Sequence, residues 1–147
     1  MKISVKKRVP EFAPGEYGAI ITGVILVNKP GVLWSDPTPQ LEMSYDIENG
    51  KKMVDWMPVT GYARYEGLKD KTGLRKAGEY AVDENGVRLV DPGRTKECTD
   101  RISDMIACAG FPDGADVEMG ELVGRKIILN IEHTPNGKYF VKYFKRY

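Results

Sequence analysis

Residues 41–59 read Leu41-Glu42-Met43-Ser44-Tyr45-Asp46-Ile47-Glu48-Asn49-Gly50-Lys51-Lys52-Met53-Val54-Asp55-Trp56-Met57-Pro58-Val59. Leu41, Met43, Tyr45 and Ile47 alternate with Glu42, Ser44, Asp46 and Glu48, the period of two expected of a strand buried on one face. Asn49-Gly50 supplies both residues of a type I′ turn, and Met53 to Val59 follows as the returning strand. A hairpin at the centre of the chain places it among mostly β proteins.

Upstream, Gly15 to Val27 is apolar at both parities, with Gly23 as a bend, and predicts a long strand buried on both faces. Between it and the hairpin, Asn28 to Gln40 holds Pro30, Gly31, Pro37 and Pro39 and reads as a loop carrying Trp34. Downstream, Gly61 to Glu97 is rich in glycine and charge; a small hairpin is expected only around Asn85-Gly86, between Tyr80 and Val90. Thr99 is the expected cap of a short helix whose apolar face is Ile102, Met105, Ile106 and Ala109, stopped by Gly110 and Pro112. Two further strands, Lys126 to His133 and Lys138 to Tyr147, flank Thr134-Pro135-Asn136-Gly137. The expected architecture is therefore a mostly β, five-stranded OB-fold-like barrel, with one short helix between strands three and four. It would occupy residues 1–147 as a single domain with an insertion at 61–97.

With 147 residues, 41% of them hydrophobic, the chain can bury a core without disulfides or metal. Its longest apolar stretch, Ala19 to Val27, falls short of the roughly 20 residues of a membrane span, and the basic N-terminus lacks the apolar run of a secretory signal. A soluble, cytoplasmic protein with no membrane partner is expected. Cys98 and Cys108 read as reduced packing residues. The net charge of +1 gives no whole-protein attraction for a polyanion, so any such attraction must be local.

One local candidate is the last strand. Lys138, Phe140, Lys142, Phe144 and Arg146 share a parity, with Tyr139, Val141, Tyr143 and Tyr147 on the other. Alternating cations and rings suit a flexible nucleic acid strand, since cations hold phosphates and rings stack on bases without demanding a sequence. The same pattern also describes an edge strand whose lysines deter aggregation.

A second group, Tyr62, Arg64, Tyr65, Lys69, Lys71, Arg75 and Lys76, lies in the insertion and reads either as a binding loop or as a solvated charged one. Trp34 could stack on a base or cover the end of the barrel. Trp56 could face ligand or core. Glu42, Asp46 and Asp55, expected to face outward on strands two and three, would repel phosphate, which favours the last strand, the loops and the Lys51-Lys52 turn over the centre of that sheet.

Catalysis finds little support, because His133 is the only histidine and no nucleophile motif surrounds it. Cys98, Cys108 and His133 do not have zinc spacing, and no cofactor motif is present. Asp113, Asp116, Glu118 and Glu121 lack a calcium-loop pattern and read as a solvated acidic face, which could also touch a basic partner.

In order and separation, four pieces resemble a group of small phage-encoded single-stranded-DNA-binding proteins of OB-fold type, many known only as a domain of unknown function. They are Pro14-Gly15-Glu16-Tyr17, Val54-Asp55-Trp56, Leu122-Val123-Gly124-Arg125-Lys126, and Asn136-Gly137-Lys138 with Val141-Lys142-Tyr143. The resemblance covers roughly 12–59 and 99–147, and leaves the insertion outside. It implies a non-enzymatic protein that coats single-stranded DNA during phage replication, recombination or repair in a bacterial cytoplasm, with replication or recombination proteins as further partners. The end, Tyr143-Phe144-Lys145-Arg146-Tyr147, departs from the acidic tail through which many such proteins recruit partners. The competing reading is a protein-interaction module, a phage adaptor or an inhibitor of a host enzyme. Exposed sheet edges are also compatible with a homodimer.

Overall fold

A computed structural model of the chain describes residues 12–30, 37–64 and 80–147. Strands β1 (Gly15–Pro30), β2 (Pro37–Ile47), β3 (Lys52–Pro58), β4 (Lys126–His133) and β5 (Tyr139–Lys145) form one antiparallel sheet in the order β3-β2-β1-β4-β5. Helix α1 (Pro92–Cys108) lies between β3 and β4, and a 3₁₀ turn (Met119–Leu122) precedes β4. The mostly β class, the five strands and the position of the helix follow the sequence expectation. The sheet, however, is not closed into a barrel: among the described residues no backbone ladder joins β3 to β5. No helix among them is long and apolar enough to cross a membrane.

Strand β1 is long because it serves two neighbours, pairing with β4 from Gly15 to Ile20 and with β2 from Ala19 to Pro30. Its register slips between Ile21 and Gly23, leaving Thr22 as an extra residue. A one-residue bulge exchanges the faces. Ala19 and Ile21 therefore point into the core before it, and Val24 packs against the core after it. This accounts for part of the apolar pattern only: Ile20, Ile25 and Leu26 remain exposed, so the strand is not buried on both faces as expected. The core between sheet and helix is built from residues such as Ile21, Met43, Tyr45, Met57, Leu129 and Met105, all essentially inaccessible to water.

The three Asn-Gly pairs make one and the same loop, and it is not type I′. The amide of Ile47 donates to the carbonyl of Lys51 and that of Gly50 to Ile47; Asp83/Val87/Gly86 and Thr134/Lys138/Gly137 repeat the arrangement. The glycines have φ of 83°, 78° and 83°, while among the described residues no non-glycine has positive φ. Each is thus a type I turn completed by a left-handed glycine, the three-residue alternative to the two-residue turn.

Helix α1 begins at Pro92, not at Thr99. Asp91 is its cap, accepting from the amides of Gly93 (2.9 Å) and Arg94 (3.1 Å), with Pro92 in the first turn, where a missing N–H costs nothing. Thr99 instead donates back to the Thr95 carbonyl, and Asp100 pairs with Lys96. The first two turns were illegible because they are polar and partly solvated, with no apolar period. They dock through Gly61, where a Cβ would overlap the backbone of Arg94, and Thr95 Oγ1 both accepts from and donates to the Gly61 backbone. The insertion therefore ends at Asp91.

Candidate nucleic-acid interface

The face of the sheet turned away from the core carries cross-strand rows set by register: Ile25–Glu42–Trp56, Gly23–Ser44–Val54, and Ile20–Asp46–Lys52. Trp56 is 38% exposed, settling its side of the sheet as the outer one, and its indole N–H donates to Glu42 Oε1 at 3.0 Å. Asp46 stands 4.0 Å from Lys52. The two outward carboxylates are thus each engaged by a neighbour in their own row. Asp55, expected to join them, points inward and is only 8% exposed, because strict alternation along β3 puts it between Met53 and Met57.

On β5 the expected single face is broken. Ile131 pairs with Val141 and Asn130 with Tyr143, so Lys142 is a bulge and parity inverts after it. Phe144 is drawn into the core, 5% exposed, and is not a stacking surface. Phe140, at 37%, stays outside with Lys142, while Tyr143 and Lys145 turn out in place of Phe144. Glu16 on β1 accepts from both Tyr143 (2.9 Å) and Lys145 (2.6 Å), and these bonds, the Lys145 one foremost, hold its carboxyl below the usual carboxylate range. Lys138 is exposed in the β4–β5 loop, and Arg146 is exposed near the Cys108 thiol of α1.

The edges β3 and β5 are joined by side chains. The Asp55 carboxyl on β3 feels the Val141 backbone amide of β5, which pulls it down, and Arg101 on α1 stands 3.7 Å from the Asp55 carboxylate. Arg101 also donates to the carbonyls of Val141 (2.5 Å) and Lys142 (3.0 Å) and lies over the Phe144 ring. Burial pushes the Asp55 carboxyl up to about 6 against the opposing pull of Arg101 and two backbone amides; burial and the Asp55 charge raise the Tyr45 hydroxyl. Alternation turns the neighbours of Asp55 and Val141, Val54 and Trp56 on β3 and Phe140 and Lys142 on β5, to the outer face of the sheet.

The insertion folds onto the same outer face. Thr38 shares parity with Gln40 and Glu42 but is buried, and Arg88 Nη1 donates to its hydroxyl at 2.9 Å. Three bridges, Tyr62↔Val90, Arg64↔Tyr80 and Val82↔Arg88, draw two arginines and two tyrosines together. The Arg64 guanidinium lies 4.3 Å from the Tyr80 centroid, and Arg88 lies 4.1 Å from Tyr62 and 5.5 Å from Tyr80.

Of the residues expected at a binding site, Trp56, Lys52, Phe140 and Lys142 come to the outer face, and Tyr62 and Arg64 to the insertion cluster. Lys51 leans over the Phe12 ring beside the first hairpin. Trp34, Tyr65, Lys69, Lys71, Arg75 and Lys76 lie outside the described residues. Tyr80, Arg88, Ile25 and Val54 were missed; the hairpin expected around Asn85-Gly86, which carries Tyr80 and Arg88, was the one signal for the first two. His133 packs edge-on against Tyr139, and in the acidic loop the Glu121 carboxylate accepts from the Glu118 amide to cap the 3₁₀ turn. Among the described residues no group of three His, Cys, Asp or Glu side chains is gathered. Cys98 and Cys108 are free thiols, raised by burial. No protein-family model and no curated protein matches the chain.

Proposed function

We propose that this chain is a non-enzymatic single-stranded-DNA-binding protein, and that its sheet is an OB-type barrel whose last closure, β3 to β5, is made by side chains instead of a ladder. The observation that carries the reading is the outer face of the sheet, where a half-exposed tryptophan on β3 and a half-exposed phenylalanine on β5 share their strands with the exposed lysines Lys52 and Lys142. Rings that accept any base and cations that accept any phosphate give affinity without sequence preference. The strand order, with the helix between β3 and β4, supports the OB-type reading. Coating of single strands during phage replication, recombination or repair is the role that fits such a surface together with the resemblance of the four sequence pieces.

Titration with an oligothymidine strand, followed by tryptophan fluorescence at low and moderate salt, tests this. Salt-sensitive quenching with much weaker duplex binding supports it; absence of binding at low salt overturns it. One observation favours an interaction module instead, the exposed Val87, Leu89 and Val90 of the insertion. Recovery of one stoichiometric protein after nuclease treatment would be its signature.

A further inference from the structure

Asn130, in the middle of β4, is an outer-face residue by alternation, since its neighbours Leu129 and Ile131 point into the core. It is nevertheless only 6% exposed, and its Oδ1 has no hydrogen-bond partner. Register explains the cover. Asn130 faces Glu16 on β1 and Tyr143 on β5, so the 2.9 Å bond from the Tyr143 hydroxyl to Glu16 Oε1 crosses β4 above it. Lys145 completes the bracket, its ammonium 2.6 Å from the same carboxylate oxygen and 5.7 Å from the Tyr143 ring centroid. All three bracket residues are exposed. Such a surface pair adds little to the stability of a fold, and the buried amide oxygen beneath it is left unsatisfied, which is unfavourable. What the bracket does hold ready is a converging O–H and N–H donor pair beside an aromatic ring.

We propose that Tyr143 and Lys145 form a phosphodiester subsite for a single-stranded polynucleotide, occupied in the free protein by the Glu16 carboxylate, which the incoming phosphate displaces. The inference rests on the single-strand-binding reading and extends it along β5, across the bulge from Phe140 and Lys142. A phosphate oxygen accepts the same two bonds as the carboxylate oxygen it replaces, one from a hydroxyl and one from an ammonium. Glu16, on an exposed strand position, is then released to water. Opening the bracket also uncovers Asn130, whose amide gains the partner it lacks when the bracket is closed. Glu132, opposite Phe140 in the register, acts on the Tyr143 hydroxyl through space but bonds to neither donor, so it is the matched control for loss of a nearby negative charge.

The test compares wild type with Glu16→Gln, Lys145→Gln, the Glu16→Gln/Lys145→Gln double variant and Glu132→Gln, by anisotropy of labelled oligothymidine over a salt series. Glu16→Gln should tighten binding severalfold and steepen the log–log salt slope by about 0.7, the share of one single-strand phosphate contact. Lys145→Gln should weaken binding and make the slope shallower. In that background Glu16→Gln should gain much less, because no ammonium remains to be released. Glu132→Gln should tighten binding less than Glu16→Gln does. Independently of folding in the variants, the wild-type Glu16 carboxyl, held below the usual range by its bonds from Lys145 and Tyr143, should titrate at higher pH once oligothymidine is bound, as followed by its side-chain carboxyl carbon resonance. A Glu16 titration unmoved by bound oligothymidine, or a folded Glu16→Gln protein that binds no more tightly than Glu132→Gln, overturns the subsite and leaves the sheet reading standing. A wild-type protein that binds no oligothymidine at low salt overturns both.

Discussion

Arg101 stands 3.7 Å from the Asp55 carboxylate while donating to the carbonyls of Val141 and Lys142, so one guanidinium on α1 secures both free edges of the sheet. Those carbonyls flank the β5 bulge, where the regular ladder is interrupted. Arg101→Ala would strip an acceptor-rich, largely buried site of its cation. A fully buried pair broken this way costs about 3–5 kcal/mol; with a third of the Arg101 side chain exposed, on the order of 2–3 kcal/mol is expected. The urea midpoint of unfolding measures it.

The same carboxyl links stability to pH. Asp55 is raised from 3.8 to about 6 in the folded protein, chiefly by burial, with the Arg101 charge and the Tyr45 hydroxyl facing it. A raised acid binds its proton more tightly when folded, so this group's contribution is fully present below about pH 4 and is lost as pH rises through about 6. Stability should therefore decline from this source between pH 4 and 7, and Asp55→Asn should flatten that decline. The cost of Arg101→Ala should be smaller at pH 5 than at pH 8, because the protonated carboxyl needs a counter-charge less. Denaturation curves at the two pH values decide both points.

Phe140 and Phe144 give opposite results if β5 is bulged as described. Phe144→Ala removes a core ring and should cost about 3–5 kcal/mol of stability. Phe140→Ala should leave the unfolding midpoint nearly unchanged and weaken binding of oligothymidine. A combined thermal melt and binding titration on the two variants separates the roles.

Trp56→Ala should weaken the same binding by about 1–3 kcal/mol, the worth of one stacked base, and Trp56→Phe should retain much of it. Glu42→Gln removes a negative charge beside the indole and should tighten binding with little change in fold. Lys142→Glu should weaken binding and reduce the salt slope, its side chain being exposed and its backbone already fixed by Arg101.

The hairpin of β2 and β3 was legible because one alternating pattern, one glycine turn and one return strand agree, and the order of the remaining elements followed from similar local signals. What escaped the sequence was set by tertiary context. Nothing in Val141-Lys142-Tyr143 announces a bulge; the Val141 and Lys142 carbonyls at it are taken up by Arg101, far away in the chain. Asp55 itself looked like a surface acid, and only its partner on α1 makes burial tolerable. The start of α1 was missed because its first turns bury little, although Asp91-Pro92 is the stronger capping pair. Tyr62 and Arg64 were read as part of a charged segment and Tyr80 and Arg88 only as part of a small hairpin, because the bridges that bring them together span two stretches of the insertion.

Strand β1 meets β2 after a short connection but meets β4 only across more than a hundred residues, Gly15 facing Ile131. The three-stranded meander can assemble while the chain is still being synthesised, but the Gly15–Ile20 edge waits unpaired until the C-terminal hairpin emerges. Closing such a distant pairing is entropically slow, so formation of β1–β4 contacts is the expected rate-limiting event in folding. Until then the incomplete sheet presents an apolar edge to other nascent chains, and a product truncated before Lys126 should aggregate by pairing along it.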